Sequence, residues 1–407
     1  GQNYMNSMDA KGNPVIFTNG DNDTFPLWYN QETEGVRTDA RVCNLSYLQT
    51  DWYIDQMRRP AYDSPSLPIS WTRLQYVTGT REGIPVQPDA LQQVIDYYKD
   101  SPEDLKQMLG DNPYELKNII RHWVLNDNPD LQIFPTDSIV VTVDKEAVKR
   151  SGMMIAADSI PDVMHISLKG KRAVYKSEMM MLEMISQANW ERPLYMSTTV
   201  GPDNYGHLGD NFVQEGLACR ITPFDTKQSG RTIDSERMYN NMMNKFKYGG
   251  LKENPDIYLD ETVIRMCYTH RRLFNQLAQQ LLKEGQKDKA LKVLQRAEEE
   301  IPGSIVPHEA FYGHSLELAD AWLALGHKAE AEKLLNAVGQ NAKEYIEWYL
   351  SLNTQRLLQS SRECLMQIYI LNDIAKTWEP IDKKKAETYR MEVNNYASRC
   401  HQRGMSL

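Results

Sequence analysis

The stretch Pro14-Val-Ile-Phe-Thr-Asn-Gly-Asp-Asn-Asp-Thr24 decides the fold of the first part of this sequence. Its β-branched and aromatic run, Val15 to Thr18, predicts a short buried strand, and the turn pair Asn19-Gly20 ends it. The next segment, Thr24 to Glu34, predicts a helix with Pro26 in its first turn. A strand that passes directly into a helix is the opening unit of an α/β domain.

The same alternation continues along the chain. Arg41 to Ser46 predicts a second strand and Asp51 to Arg58 a second helix. Further strand patterns lie at 139–143, 165–168, 193–198 and, as an edge strand, 217–221, and a helix pattern spans 173–188. The Pro-punctuated stretch at about 60–128 predicts a helical insertion, with helices near 90–99, 102–109 and 114–124. We therefore expect a Rossmann-like α/β domain with a mostly parallel sheet over residues 1–240.

Residues 241–407 show helical patterns only, and these contain an internal repeat. The segment Glu284-Gly-Gln-Lys-Asp-Lys-Ala resembles Leu325-Gly-His-Lys-Ala-Glu-Ala, which marks one inter-helix turn twice. The tetratricopeptide frame is matched first by Phe274, Leu277, Ala278, Leu281, Ala290, Leu294, Ala297 and Pro302, and again by Ser315, Leu318, Ala319, Trp322, Ala331 and Leu335. We expect a tetratricopeptide-like helical repeat domain, capped by a third helical pair at 343–378 and 382–401.

The densest polar cluster, Asp21, Asn22, Asp23 and Thr24, follows the first strand. Ligands of open parallel sheets sit beyond the carboxyl ends of the strands, so this loop is a candidate ligand site. Asp21 and Asp23 could together hold Mg²⁺ or Mn²⁺, as Asp-x-Asp does in transferases that bind a nucleotide-sugar diphosphate. The competing interpretation is that Asp23 or Thr24 caps the following helix and Asp21 closes a turn.

Two aromatic residues next to acidic ones extend this candidate site. Trp28 lies one turn into the first helix, and Asp51-Trp52 occupies the equivalent place after the second strand. Thr198 and Thr199, after a later strand, could complete the rim. Aromatic faces beside carboxylates suit sugar or peptide ligands, whereas the alternative is that the tryptophans anchor the core.

Composition excludes some classes of protein. Lys+Arg 46 against Asp+Glu 55 leaves a net charge of -9, which argues against nucleic-acid binding. No stretch reaches the roughly 20 apolar residues of a membrane helix. Five cysteines without paired spacing indicate neither a disulfide framework nor a zinc site, and we expect Cys43, Cys219, Cys267 and Cys364 to be ordinary buried thiols.

Several longer motifs carry a family resemblance. They are Pro14 to Tyr29, Asn44-Leu-Ser-Tyr-Leu-Gln-Thr-Asp-Trp-Tyr53, Asn189-Trp-Glu-Arg-Pro-Leu-Tyr-Met196 and Gln214-Glu-Gly-Leu-Ala-Cys-Arg-Ile-Thr-Pro223. The sequence resembles the C-terminal region of the Bacteroidetes DUF2723 membrane proteins, which are similar to protein O-mannosyltransferases of the GT-C class. It departs from them at Cys219, where relatives are expected to carry an aromatic residue.

The resemblance implies a parent protein with many membrane helices upstream and places these residues at the periplasmic face of the inner membrane. It implies that the catalytic acid lies on a membrane-domain loop outside this chain, so that the chain alone is inactive and recognises a protein or peptide acceptor, or a glycan. It also implies contact with the parent's own membrane domain. The alternatives are an Asp-x-Asp nucleotide-sugar transferase domain and a structural module that binds envelope proteins.

Overall fold

The structure is a computed structural model that describes residues 1–153 and 160–405. It consists of two compact units, Gly1–Lys247 and Tyr248–Leu407. The first contains a mixed sheet with surrounding helices, and the second, over its described residues, is helical.

The strands of the first unit are short. They are β1 (Val15–Thr18), β2 (Arg41–Asn44), β3 (Gly83–Pro85), β4 (Ser138–Thr142), β5 (Val163–Ser167), β6 (Ala173–Tyr175), β7 (Leu194–Ser197), β8 (Phe212–Gln214) and β9 (Ala218–Ile221). Its helices are α1 (Gln2–Asn6), α2 (Asp21–Glu34), α3 (Asp51–Met57), α4 (Arg73–Tyr76), α5 (Ala90–Tyr97), α6 (Pro102–Leu109), α7 (Leu116–Ile119), α8 (Lys145–Ser151), α9 (Lys176–Ala188), α10 (Thr226–Ser229) and α11 (Ser235–Asn240). Short turns of π-helix follow α7 and α11, at Ile120–Val124 and Asn241–Lys245.

The central sheet has the strand order β2-β1-β7-β9-β8. β1 pairs in parallel with β2 on one side and with β7 on the other, so that Ile16 lies opposite both Val42 and Tyr195. All four residues of each of these three strands are buried. This is the pattern of parallel strands covered on both faces, and it explains why β1 reads as a continuous apolar run.

The sheet is mixed rather than mostly parallel, which corrects the sequence-based expectation. β9 pairs antiparallel with both β7 and β8, and β9 is therefore an inner strand rather than the predicted edge strand. The physical reason is the short connection Glu215–Leu217 between β8 and β9, because a hairpin of that length can only reverse the chain. β4 and β5 form an antiparallel pair outside this sheet.

Helix α2 also differs from its prediction. It begins at Asp21, three positions before the expected start at Thr24, and Pro26 is inside the helix instead of in its first turn. The earlier start is stabilised by the Asp23 carboxylate, which accepts a hydrogen bond from the N–H of Gly20, the residue that precedes the helix. Pro26 cannot donate to the carbonyl of Asn22, so the first turns are held by this cap.

The second unit is a series of helices: α12 (Glu261–Lys283), α13 (Lys287–Glu300), α14 (Ser315–Ala324), α15 (Lys328–Ser351), α16 (Thr354–Gln359), α17 (Ser361–Trp378) and α18 (Lys383–Gln402). Packed pairs are formed by α12 with α13, α14 with α15, and α17 with α18. The third pair differs from its prediction, because α15 continues to Ser351 and the chain turns at Leu352, where the backbone is extended.

The first two pairs share one turn geometry. Gly285 and Gly326 both adopt a left-handed conformation, with φ of 74° and 82°. In each turn the residue after the glycine donates to the carbonyl five positions back, Gln286 to Leu281 and His327 to Trp322. The side chains at the repeated frame positions from Phe274 to Ala297 and from Ser315 to Leu335 are buried in both pairs.

Candidate functional site

The candidate site lies at the carboxyl ends of β1, β2 and β7. The chain passes from β1 to β2 on one side of β1 and reaches β7 on the other, which is the point in an open α/β sheet where ligands bind. The N-terminus of α2 and the turn Tyr47–Gln49 cover this end of the sheet.

Asp23 lies at this end of the sheet, and both oxygens of its carboxylate accept hydrogen bonds. It is only 8% exposed. Oδ1 accepts from the N–H of Gly20 at 2.9 Å, and Oδ2 accepts from the N–H of Asn19 at 3.2 Å and from the Thr199 hydroxyl at 3.0 Å. Asp23 therefore acts as a structural tie between the start of α2 and the end of β7.

Thr24 belongs to a second buried set of hydrogen bonds. Its hydroxyl lies 2.7 Å from the hydroxyl of Thr18 and accepts from Nδ2 of Asn44 at 2.8 Å. The side-chain oxygen of Asn44 accepts from the N–H of Tyr47 at 3.0 Å. These bonds fix the turn after β2 against the start of α2. The backbone and hydroxyl of Thr198 both donate to the carbonyl of Leu217, at 3.0 and 3.1 Å.

Four aromatic side chains form a row above this network, and we call Phe25, Trp28, Tyr47 and Trp52 the aromatic row. The ring centroids of Phe25 and Trp28 are 5.6 Å apart, those of Trp28 and Tyr47 are 6.3 Å apart, and those of Tyr47 and Trp52 are 5.9 Å apart. Phe25 is 46% exposed and Trp52 is 54% exposed. Trp28 and Tyr47 are half-buried and pack against the hydrophobic core. The exposed parts of the row suit a ligand that presents apolar faces.

Acidic groups border the row. Asp21 is exposed, and the Tyr47 hydroxyl donates to its Oδ1 at 3.5 Å. Asn22 is exposed beside it. Asp51 lies 3.6 Å from the Arg73 guanidinium, and the hydrogen bond that it accepts from the backbone of Thr78 lowers its pKa. The site therefore combines ring faces with carboxylate acceptors.

The geometry divides the predicted site residues into two groups. Asp21, Trp28 and Trp52 lie around Tyr47, whereas Asp23, Thr24, Thr198 and Thr199 make hydrogen bonds within the protein. Sequence reasoning missed Phe25 and Tyr47 as site residues. Tyr47 could have been found because it lies in the turn directly after β2, where ligand-contacting side chains of such sheets are placed.

Among residues 1–153 and 160–405 there is no cluster of three or more His, Cys, Asp or Glu side chains with metal-binding geometry. Of the predicted pair, Asp21 is exposed, while both carboxylate oxygens of Asp23 already accept hydrogen bonds. Divalent-cation binding at Asp21 and Asp23 stays a prediction, and a cation at Asp23 would compete with the hydrogen bonds that this carboxylate already accepts.

The chain therefore has a mixed-sheet α/β unit followed by a helical unit, and the aromatic row lies at the carboxyl ends of the central strands. Residues 1–241 match the family model described as TMEM260-associated domain 2, and the chain belongs to that family. Neither a curated protein nor a solved structure matches the chain significantly. None of the helices in the described ranges has both the length and the apolar character needed to cross a membrane.

Proposed function

We propose that this chain is the extracytoplasmic recognition region of a larger GT-C-like membrane glycosyltransferase, and that it binds the acceptor rather than catalysing transfer. The carrying observation is the aromatic row, in which Phe25 and Trp52 are exposed and Tyr47 bonds to the Asp21 carboxylate at the carboxyl ends of the central strands. The acceptor is a protein or peptide, with or without a glycan. The parent's membrane domain supplies the catalytic acid, at the periplasmic face of the inner membrane.

Three observations support this proposal. The family match is to a domain described as associated with TMEM260. The sequence motifs after β1 and β2, which carry the resemblance to DUF2723 proteins of Bacteroidetes, are the same segments that build the aromatic row. The engaged carboxylate of Asp23 disfavours the alternative in which Asp21 and Asp23 jointly hold a metal and a nucleotide-sugar.

The helical unit fits a role in presenting or recognising partners. We propose that α12 to α15 are two tetratricopeptide-like repeats, because the same buried positions and the same glycine turn recur in both helical pairs. Arrays of such pairs bind extended peptides or pack on other domains. This unit would then bring an acceptor or an envelope protein to the parent enzyme.

Calorimetry with an extended peptide rich in serine and threonine tests the proposal on the complete chain. We expect binding to weaken about tenfold in Trp52→Ala, because removal of one exposed ring deletes a contact worth roughly 1–2 kcal/mol. Tyr97→Ala is the control, since Tyr97 is an exposed aromatic residue on α5, outside the aromatic row. Binding that is unaffected by Trp52→Ala would remove the aromatic row from acceptor recognition.

A Mn²⁺ titration with and without a nucleotide-sugar tests the alternative. Binding in the wild type that is lost in Asp21→Asn would favour the transferase alternative over the recognition role. We expect no difference between the two proteins.

A further inference from the structure

A cavity adjoins the aromatic row and shares Trp28 with it. It has a volume of about 450 Å³ and lies between α2, the outer edge of β2 and the end of α3. This volume falls in the range of roughly 300–1,000 Å³ that is typical of small-molecule sites. Besides Trp28, its lining includes Gln31, Glu32, Arg41, Gln56 and Tyr62. The cavity thus combines two aromatic side chains with several polar ones.

Arg41 is the unusual member of this lining. Its side chain is 5% exposed, and Nη2 donates to the carbonyls of Gln56 at 2.8 Å and Arg59 at 3.0 Å. Nη1 has no hydrogen-bond partner within the described ranges. Burial lowers the pKa of Arg41, as expected for a cation without a paired carboxylate. A buried donor without an acceptor is costly, but Nη1 has almost no accessible surface, so a ligand in the cavity would reach it only if the side chain moved.

The opposite side of the cavity supplies hydrogen-bond acceptors. The Glu32 carboxylate accepts from the Tyr62 hydroxyl, which raises the pKa of Tyr62. Nε2 of Gln31 donates to the carbonyls of Arg37 and Ala40, both at 2.9 Å, so this side chain is held in one orientation. The lining therefore offers the Glu32 carboxylate as an acceptor next to a Gln31 side chain held in one orientation.

We propose that this cavity binds one neutral monosaccharide unit of a glycan. A sugar ring has apolar C–H faces that pack on Trp28 and Tyr62, and hydroxyl groups that donate to Glu32 and bond to the side-chain amide of Gln56. This inference rests on the proposed role in acceptor recognition and names the class of ligand. The acceptor would carry a sugar that binds in this cavity. The aromatic row would contact the part of the acceptor next to that sugar.

The charges favour a neutral ligand over an anionic one. Arg41 contributes one positive charge and Glu32 one negative charge to the same lining, so an anionic ligand would gain from one and be repelled by the other. The rest of the lining is apolar, with Ala40, Val42, Met57 and Ala61 between the two rings and the polar side chains. A hydroxylated ring, which has apolar faces and polar edges, matches a lining of this mixed kind.

Ligand-observed NMR on the complete chain, with glucose, galactose, mannose and N-acetylglucosamine as probes, tests the proposal. We expect at least one of these sugars to bind, and binding to weaken about tenfold or more in Tyr62→Ala and in Gln56→Ala. Both side chains are exposed, so their removal leaves the fold intact. Tyr97→Ala and Gln93→Ala, two exposed residues of α5 outside the cavity, are the matched controls and should bind as the wild type does.

The proposal is overturned if none of the four sugars binds, if binding survives both cavity variants, or if only glucuronic acid or inorganic phosphate binds. Failure of the proposed function looks different. In that case the serine- and threonine-rich peptide binds Trp52→Ala as tightly as the wild type, while sugar binding and its dependence on Tyr62 and Gln56 are retained.

Discussion

The hydroxyl of Thr199 donates a hydrogen bond of 3.0 Å to Oδ2 of Asp23, a residue 176 positions earlier in the chain. Thr199 follows β7 and Asp23 lies in the first turn of α2, so this bond joins the ends of two neighbouring parallel strands. The same carboxylate also holds the N–H groups of Asn19 and Gly20. The two aspartates of the Asp-x-Asp sequence therefore differ: the Asp23 carboxylate faces inward and the Asp21 carboxylate faces solvent.

This division predicts different effects for the two aspartates. Asp23→Ala should lower the free energy of unfolding by about 2–3 kcal/mol, because a helix cap and a buried hydrogen-bond acceptor are lost together. Asp21→Ala should change it by less than about 0.5 kcal/mol, since Asp21 is exposed. Urea denaturation of both variants checks this, and equal effects would contradict the division.

The burial of Glu215 leads us to expect that the free energy of unfolding depends on pH. Glu215 is 1% exposed, its Oε2 accepts from the Tyr195 hydroxyl at 2.9 Å, and Arg220 and Arg237 lie at 3.7 and 3.8 Å. Burial raises the pKa of Glu215 above its ordinary value of 4.5, since the arginine contacts are longer than hydrogen bonds.

A raised pKa in the folded state means that the protonated carboxyl stabilises the fold below pH 4.5 and that this stability is lost as the pH rises through the folded pKa. Glu215→Gln cannot titrate. The wild type should therefore lose stability relative to Glu215→Gln between pH 4.5 and neutral pH, as measured by urea denaturation at several pH values. A difference that grows in favour of the wild type with rising pH would show that the arginines dominate.

Cys364 and Cys400 are poised to form a disulfide between α17 and α18. Both are buried, and their Sγ atoms are 3.9 Å apart. Burial raises the pKa of Cys364 to about 12, so the folded chain should react slowly, whereas refolding with glutathione disulfide should allow exchange. Two protein thiols then become one disulfide, and the glutathione disulfide is reduced to two thiols.

We expect refolding under these conditions to lower the number of free thiols from five to three, as measured by thiol titration in denaturant. The loop closed by residues 36 positions apart should add about 4 kcal/mol to the free energy of unfolding. Cys364→Ser should abolish both effects, whereas Cys43→Ser, which removes a buried thiol of β2, should not. Peptide mapping that finds Cys400 unbridged would contradict this prediction.

Arg271 should be essential to the helical unit. Its buried guanidinium donates to the carbonyls of Ile301, Val306 and Pro307 at 2.9, 2.8 and 3.0 Å, and so it holds the loop after α13. Arg271→Leu should cost roughly 3 kcal/mol or more of unfolding free energy, because two buried carbonyls and one partly buried carbonyl lose their donors. Arg265→Leu, an exposed position of the same helix, should change it by less than about 0.5 kcal/mol. Thermal unfolding that is equal in the two variants would contradict this role.

Local signals in the sequence predict some elements to the residue. β1 has the expected bounds because its apolar run ends at a turn pair, and α6 has them because Pro102 starts it. Other elements depend on distant pairing. Ala173–Tyr175 is predicted as the start of a helix but is a strand, because it pairs with Gly83–Pro85 far earlier in the chain.

Part of the candidate site could be predicted from local sequence signals, and part depends on contacts between distant residues. That Trp28 and Trp52 come near each other follows from the rule that parallel strands present their carboxyl ends at one edge. Which of Asp21 and Asp23 faces inward depends on the exact start of α2, and a shift of three residues at a helix start is beyond what local patterns resolve. Tyr47 could have been included by the same rule, because it lies in the turn directly after β2, but its bond to the buried Asn44 side chain is a contact that local patterns do not show.

The ends of the first unit are bonded to each other. Nδ2 of Asn3 donates to the carbonyl of Lys247 at 2.8 Å, and the N–H of Lys247 donates to Oδ1 of Asn3 at 2.7 Å. β1 likewise pairs with a strand far later in the chain, because Val15 lies opposite Leu194 of β7. During synthesis the first strand and helix therefore leave the ribosome before β7 and Lys247 have been synthesised. Their native contacts with these residues form only after residue 247 has emerged.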